Sequence, residues 1–291
     1  MSTEPKDRLG KIGIWSMELR FGDKAERLEA AAELDQLGYG ALWVPGAIDD
    51  KVLTDMSELL GATKKAVICS GILNIWKYQP ADVGAWWNGQ PPETQPRILL
   101  GLGVSHAPLI GESYAKPLSA MKHFLAGLGH ANIPASALCL AALRPKMLEL
   151  AAEHTAGAHP YLVTPEHTAQ ARQLLGPNAL LAPEQGVVLE TDPAAARAKA
   201  RTAVSRYTQL PNYVNNLLAL GFTQEEITAL SDRLIDALFA WGTPEQIATR
   251  VNEHLAAGAD HVCLQLITGE ARPTAVSAAR EGWRTLARAL L

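Results

Sequence analysis

The 291-residue chain carries eight histidines and three cysteines, and their spacing excludes more chemistry than it offers. There is no G-x-S-x-G nucleophile elbow and no G-x-x-x-x-G-K-S/T phosphate loop. The histidines form neither an H-x-H nor an H-E-x-x-H pattern, so no metal site is expected. His123 and His130 could share one helix face, where a pair of that spacing reads as solvated surface. Cys69, Cys139 and Cys263 each lie inside an apolar run, which reads as reduced core thiols of a cytoplasmic protein rather than as a catalytic thiol. Hydrolase, phosphoryl-transfer and metalloenzyme readings therefore gain little.

What remains is a set of apolar runs that end in glycine, small polar residues and aromatics. Ser70-Gly71-Ile72-Leu73-Asn74-Ile75-Trp76 is one, and Gly101-Leu102-Gly103-Val104-Ser105-His106-Ala107-Pro108 another. Glycine at a strand end lets backbone approach a flat ligand closely, although it also marks barrel corners. In Ala142-Leu143-Arg144-Pro145-Lys146-Met147 a helix starts at proline, and its free N–H groups together with Arg144 and Lys146 suit an anion. A flat ring with a phosphate is the shape of a flavin-type cofactor. His106 is the candidate acid–base group, because imidazole titrates near neutral pH; the alternative is a loop histidine bonded to backbone. Asn74 and Trp76 are candidates to touch ring or substrate, whereas Trp43 reads as packing. Tyr207, Tyr213 and Trp241 could roof a substrate pocket or simply fill a helix core.

These residues need elements to position them. Eight short apolar runs recur: Lys11–Ser16, Ala41–Val44, Val67–Leu73, Ile98–Gly103, Leu138–Ala142, Tyr161–Val163, Gly186–Leu189 and His261–Ile267. They are continuous rather than alternating, as parallel strands covered on both faces should be. Helix signals separate them. Asp23 with Glu26 opens a helix that Gly38 closes. Thr164-Pro165, Asp192-Pro193 and Thr243-Pro244 each join an N-cap residue to proline at the first helical position. Thr223 with Glu226, and Thr243 with Gln246, have capping-box spacing. Eight βα units predict an α/β fold, a closed (β/α)8 TIM barrel, as one domain over residues 1–291 with its chemistry at the C-terminal strand ends. An open doubly wound sheet is the alternative, but Ser16-Met17-Glu18-Leu19-Arg20 after the first run lacks the dinucleotide glycine fingerprint. Residues 84–96 read as a poor helix running into a proline-rich loop. The span from about 193 to 240 is too long for one outer helix. It reads as two or three helices inserted after strand seven, overhanging the site face.

Composition bounds the partners. A net charge of −4 without a basic stripe argues against nucleic acid. No apolar run approaches the ~18 residues a membrane span needs, and the polar start MSTEPKDRLG is not a secretory signal, so a cytoplasmic protein acting on a small molecule is expected.

On these residues the chain resembles the luciferase-like monooxygenase family, the flavin and deazaflavin oxidoreductases similar to bacterial luciferase. Three stretches carry the resemblance: Gly242-Thr243-Pro244-Glu245-Gln246-Ile247-Ala248 through Ala257-Gly258-Ala259-Asp260-His261-Val262; Gly101 to Pro108; and Ala141-Ala142-Leu143-Arg144-Pro145-Lys146-Met147 with Gly157 to His167. Together they look like the branch that uses the deazaflavin coenzyme F420, with FMN as the alternative cofactor. The resemblance implies a (β/α)8 barrel, a non-proline cis peptide at Gly71-Ile72, and Gly103, Val104 and Ser105 beside the cofactor ring. It also implies that Arg144, Pro145 and Lys146, with Gly157, Ala158, His159, Pro160 and Tyr161, line the phosphate side. Members are often homodimers. The chain departs from the pattern where strand two ends in Val44-Pro45-Gly46 without the acidic residue of related enzymes, where Arg144 replaces a phosphate-loop glycine, and where Trp86 and Trp87 alter the third helix. The function implied is hydride transfer between F420 and an organic substrate. An FMN-dependent monooxygenase and a non-catalytic cofactor-binding barrel are the alternatives.

Overall fold

A computed structural model describes residues 5–46, 49–270 and 274–291; the first residues of the polar N-terminus lie outside this range. All described strands belong to one parallel sheet. Its barrel strands are Ile12–Trp15, Ala41–Val44, Val67–Asn74, Ile98–Gly103, Leu138–Leu140, Gly157–Ala158, the pair Leu180–Leu181 and Glu184–Val188, and Val262–Leu266. The pair acts as one seventh strand bent at Ala182-Pro183. Its first part pairs with the sixth strand and its second with the eighth, while Ala182 N–H donates to Ala158 and the Pro183 carbonyl accepts from Cys263. The eighth strand pairs in turn with the first, so eight strands close a barrel. Closure is what the continuous apolar runs require, because it buries both faces of every strand.

Several helix starts follow from local chemistry. Asp23 accepts from the N–H groups of Ala25 and Glu26 to open Lys24–Leu37, and Gly38 closes that helix at φ 103°. Thr164, Asp192 and Thr243 each accept from a backbone N–H three residues on, ahead of proline at the first helical position. Caps of this kind contribute about 1 kcal/mol each. Both capping boxes form, at Thr223 with Glu226 and at Thr243 with Gln246.

Three expectations are corrected. The sixth strand is Gly157–Ala158, not Tyr161–Val163. His159 N–H makes the last bond to strand five, Pro160 has no N–H to offer, and Leu162 turns the chain at φ 57°. The seventh strand begins at Leu180, well before Gly186. Residues 84–88 are helical, as the second half of Pro80–Asn88. That helix starts on a proline and buries Val83 and Trp87, while Trp86 Nε1 donates to Ser57.

After the seventh strand come the helix Pro193–Val204 and then three more, Pro211–Ala219, Gln224–Ala229 and Asp232–Leu238. A further strand, Phe239–Trp241, was not anticipated. It pairs with Gly186–Val188 on the edge that the short sixth strand leaves free. The insertion has its own apolar core, in which Leu217, Ile227, Leu234 and Ile235 are buried.

Candidate active site

Strands three and four build one side of the barrel mouth. The Gly71-Ile72 peptide is cis, as the resemblance implied, and the register between the two strands shifts from Ser70 to Leu73. Trp15 Nε1 donates to the Gly71 carbonyl at 3.1 Å. Ile72 lies over Gly103 so closely that a Cβ there would come within 2.6 Å of its side chain. Asn74 pairs with Gly103 and is buried; its Oδ1 accepts from Trp76 N–H, and its Nδ2 has no partner among the described residues. Trp76 Nε1 donates to Val104 at 2.7 Å, and Ser105 takes φ 54°. His106 follows, half-buried, with Nδ1 3.4 Å from Asn212 Nδ2; burial lowers its pKa. The structure thus gathers Gly71, Ile72, Asn74, Gly103, Val104, Ser105 and His106 on one rim.

The glycine that ends strand two has a steric cause. A Cβ on Gly46 would stand 1.9 Å from the Ile72 carbonyl oxygen, so the strand-three bulge leaves no room for a side chain there. Arg20 occupies this corner instead. Only 1% of its side chain is exposed; it donates to the Pro45 and Gly46 carbonyls at 2.6 and 3.0 Å and pairs with Asp49 and Asp55.

The remaining predicted residues do not share one surface. Arg144, Pro145 and Lys146 are exposed at the start of Pro145–His154, and the Arg144 guanidinium donates to the Asn215 carbonyl of the insertion. Gly157 and Ala158 are buried barrel wall, and a Cβ on Gly157 would meet the Leu180 carbonyl oxygen at 1.9 Å. Pro160 is buried as well. His159 is 1% exposed, so it lies inside the barrel rather than on an open phosphate side. It stacks on Trp43 at 4.2 Å, its Nδ1 lies 2.8 Å from the Ala182 carbonyl, and its Nε2 has no partner among the described residues. Burial pushes its pKa down to about 4.

Tyr161 belongs to a different wall, made by strands six to eight and the insertion. Its hydroxyl donates to Gln265 Oε1 at 2.7 Å and lies 3.2 Å from the Tyr207 hydroxyl. Tyr207 also accepts from Arg206 Nη2 at 3.1 Å. Rings follow one another across the mouth: Trp15, Tyr161, Tyr207, Tyr213 and His106, with centroids 5.2 to 5.4 Å apart. Below them Glu184 accepts from Leu162 N–H, and burial raises its pKa to about 8. Sequence reasoning missed Glu184, Gln265, Arg206 and Arg20. Two had a readable signal: Gln265 interrupts an apolar strand run, and Glu184-Gln185 stands directly before one.

Residues 122–261, which include strands five to seven and the insertion, match the model of the luciferase-like monooxygenase family. That match covers 140 of the chain's 291 residues. No curated protein sequence matches it. Solved structures do. The coenzyme F420-dependent tetrahydromethanopterin reductase from Methanopyrus kandleri is 14% identical, with a TM-score of 0.69 over 97% of this chain and 99% of that one. An F420-dependent secondary alcohol dehydrogenase in complex with an F420-acetone adduct is 15% identical, with a TM-score of 0.68 over 95% and 99%. The FMN complex of the oxygenating constituent of 3,6-diketocamphane monooxygenase, from the CAM plasmid of Pseudomonas putida, is 11% identical, with a TM-score of 0.67 over 96% of each chain. At these identities the likeness is one of fold. In this chain the glycine-built rim and the tyrosine wall face each other across a mouth that the insertion partly covers. No described helix is long and apolar enough to cross a membrane.

Proposed function

We propose that this protein is an oxidoreductase that holds coenzyme F420 at its barrel mouth and moves a hydride between it and a small organic substrate. The observation that carries the reading is the rim of strands three and four. Gly103 has no side chain, Ile72 projects over it, and buried Asn74 keeps an unused Nδ2 donor. Such a rim suits the face and polar edge of a flat ring. Arg144 and Lys146 at the start of a ten-residue helix suit its phosphate, where the free N–H groups and helix dipole favour an anion. When bound, the deazaflavin supplies the carbon that gives or takes the hydride; the protein positions and desolvates. His106, kept neutral by burial, can exchange a proton at the same rim. Beneath the rim, Cys69, Leu99 and Cys139 are fully buried and would keep water from the ring's inner side.

FMN is the second reading, favoured by the FMN-bound neighbour, whose TM-score almost equals those of the F420-dependent ones. Titration of the purified chain with F420 and with FMN, followed by cofactor fluorescence, separates them. Tighter binding of F420 supports the first reading, and tighter binding of FMN the second. No binding of either below about 100 μM overturns both.

A further inference from the structure

We propose that Tyr207 is the hydroxyl that receives the substrate's oxygen, and that the substrate is a planar, conjugated carbonyl compound. The inference rests on the oxidoreductase reading and specifies the substrate side of the same mouth.

Tyr161 and Gln265 Oε1 are 2.7 Å apart, the ordinary length of a hydroxyl bond, so the Tyr161 proton is committed there. Arg206 Nη2 donates to the Tyr207 oxygen at 3.1 Å and its guanidinium stands over the Tyr207 ring at 4.9 Å. Among the described residues the Tyr207 proton then faces only the Tyr161 oxygen, 3.2 Å away, which is long for two hydroxyls, usually about 2.7–2.8 Å apart. It is a loosely engaged donor, polarised by an adjacent cation. A ligand oxygen with lone pairs and no proton of its own satisfies it best. A carbonyl is such a group, whereas an ammonium would meet Arg206 as a like charge.

The surroundings set the shape of the rest. Tyr213 stands 5.2 Å from Tyr207 and nearly perpendicular to it, and Trp15 stands 5.4 Å from Tyr161. Rings at these spacings touch one another and form a continuous aromatic wall, and a wall of this kind favours a flat unsaturated skeleton over a branched aliphatic one. Met17 packs beside Arg206 and closes the strand-one side.

A hydride from the reduced deazaflavin or flavin adds to the carbonyl carbon, and the π pair moves to oxygen. That oxygen takes the Tyr207 proton and becomes a hydroxyl. The carrier is oxidised and the carbonyl reduced to an alcohol. Arg206, which is exposed, stabilises the phenolate until solvent returns a proton.

The test needs no cofactor. Para-dimethylaminocinnamaldehyde is a flat aldehyde whose long-wavelength band moves to the red when its carbonyl accepts a strong hydrogen bond. The full chain is expected to bind it with a red shift. Tyr207→Phe should abolish the shift while changing the Kd less than about threefold, and Tyr213→Ala should weaken binding about tenfold while keeping the shift. Arg206→Gln, at an exposed position where folding is not at stake, should reduce the shift by about half. Failure of the wild type to bind the probe, an unchanged shift in Tyr207→Phe, or an undiminished shift in Arg206→Gln overturns the inference. Cofactor titration reads the oxidoreductase proposal separately: a chain that binds F420 or FMN but not the aldehyde fails only here, and one that binds the aldehyde but neither cofactor fails only there.

Discussion

The rim of strands two to four and the wall of strands six to eight solve opposite problems with opposite residues. On the rim, Gly46, Gly71 and Gly103 remove side chains so that backbone can bulge and close: added Cβ atoms would meet the Ile72 carbonyl, Trp15 Nε1 and the Ile72 side chain at 1.9, 2.6 and 2.6 Å. On the wall, Glu184, His159, Tyr161 and Gln265 bring polar groups into the interior, where each needs a partner. The rim is therefore sensitive to volume, and the wall to protons.

The largest expected effect is on the wall side, with acid. His159 on the wall, His254 on the helix behind it with Nε2 2.9 Å from Gln185 Oε1, and His261 before strand eight with Nδ1 2.9 Å from the Gly10 carbonyl are buried, with pKa values pushed down by desolvation to about 4, 3 and 4. Unfolded imidazoles take up protons near pH 6.5 that these native ones refuse. The contribution of these three groups is therefore full above about pH 6.5 and is lost as pH falls toward 4, at up to about 4 kcal/mol per pH unit. Urea unfolding between pH 7 and 4.5 measures the slope, and a flat profile breaks the comparison.

On the rim, Gly46→Ala should cost about 3 kcal/mol, because its Cβ would meet backbone rather than a flexible side chain. The same denaturant measurement at pH 7 checks it. A neutral effect would mean that the bulge yields, and that the strand-two corner could hold an acidic side chain after all.

Next comes Glu184, whose pKa is raised to about 8. At neutral pH the native carboxyl keeps a proton that the unfolded chain has released, so this group costs stability progressively from about pH 4.5 to 8. Glu184→Gln mimics the protonated form. It should flatten that alkaline decline and raise stability at pH 8 by about 2 kcal/mol, read from melting midpoints across pH. The smallest effect is expected at Arg144, which is exposed. Arg144→Ala should weaken cofactor binding about tenfold while leaving unfolding unchanged within about 0.5 kcal/mol.

Much of the frame was legible because its causes are local. Thr164, Asp192 and Thr243 cap helices whose first residue is proline, and those signals act within a few residues. The apolar runs announced parallel strands. The sixth strand was misplaced because Gly157–Ala158 is two residues long, while the nearby Tyr161–Val163 run is apolar for another reason: it leads into the wall and the core beneath the insertion. The 80–88 helix was obscured because its second half is built of glycine, alanine and tryptophan, and packing of Val83 and Trp87 rather than propensity holds it. At the site, the rim residues were readable because they follow one another on adjacent strands. Arg206, Tyr207, Gln265 and Glu184 come from three separate stretches, and nothing local marks that they meet.

The alternation of strands and helices, the helix starts, and the glycines that allow close backbone approach are written locally, because each depends on a residue and its near neighbours. Only the tertiary structure decided that the seventh strand bends at Ala182-Pro183 to close the barrel, that Gly46 is bare because the Ile72 carbonyl fills its space, and that His159 stacks on Trp43 inside instead of facing a phosphate. Those outcomes depend on contacts between residues tens of positions apart, which burial and exclusion settle only once the sheet has closed.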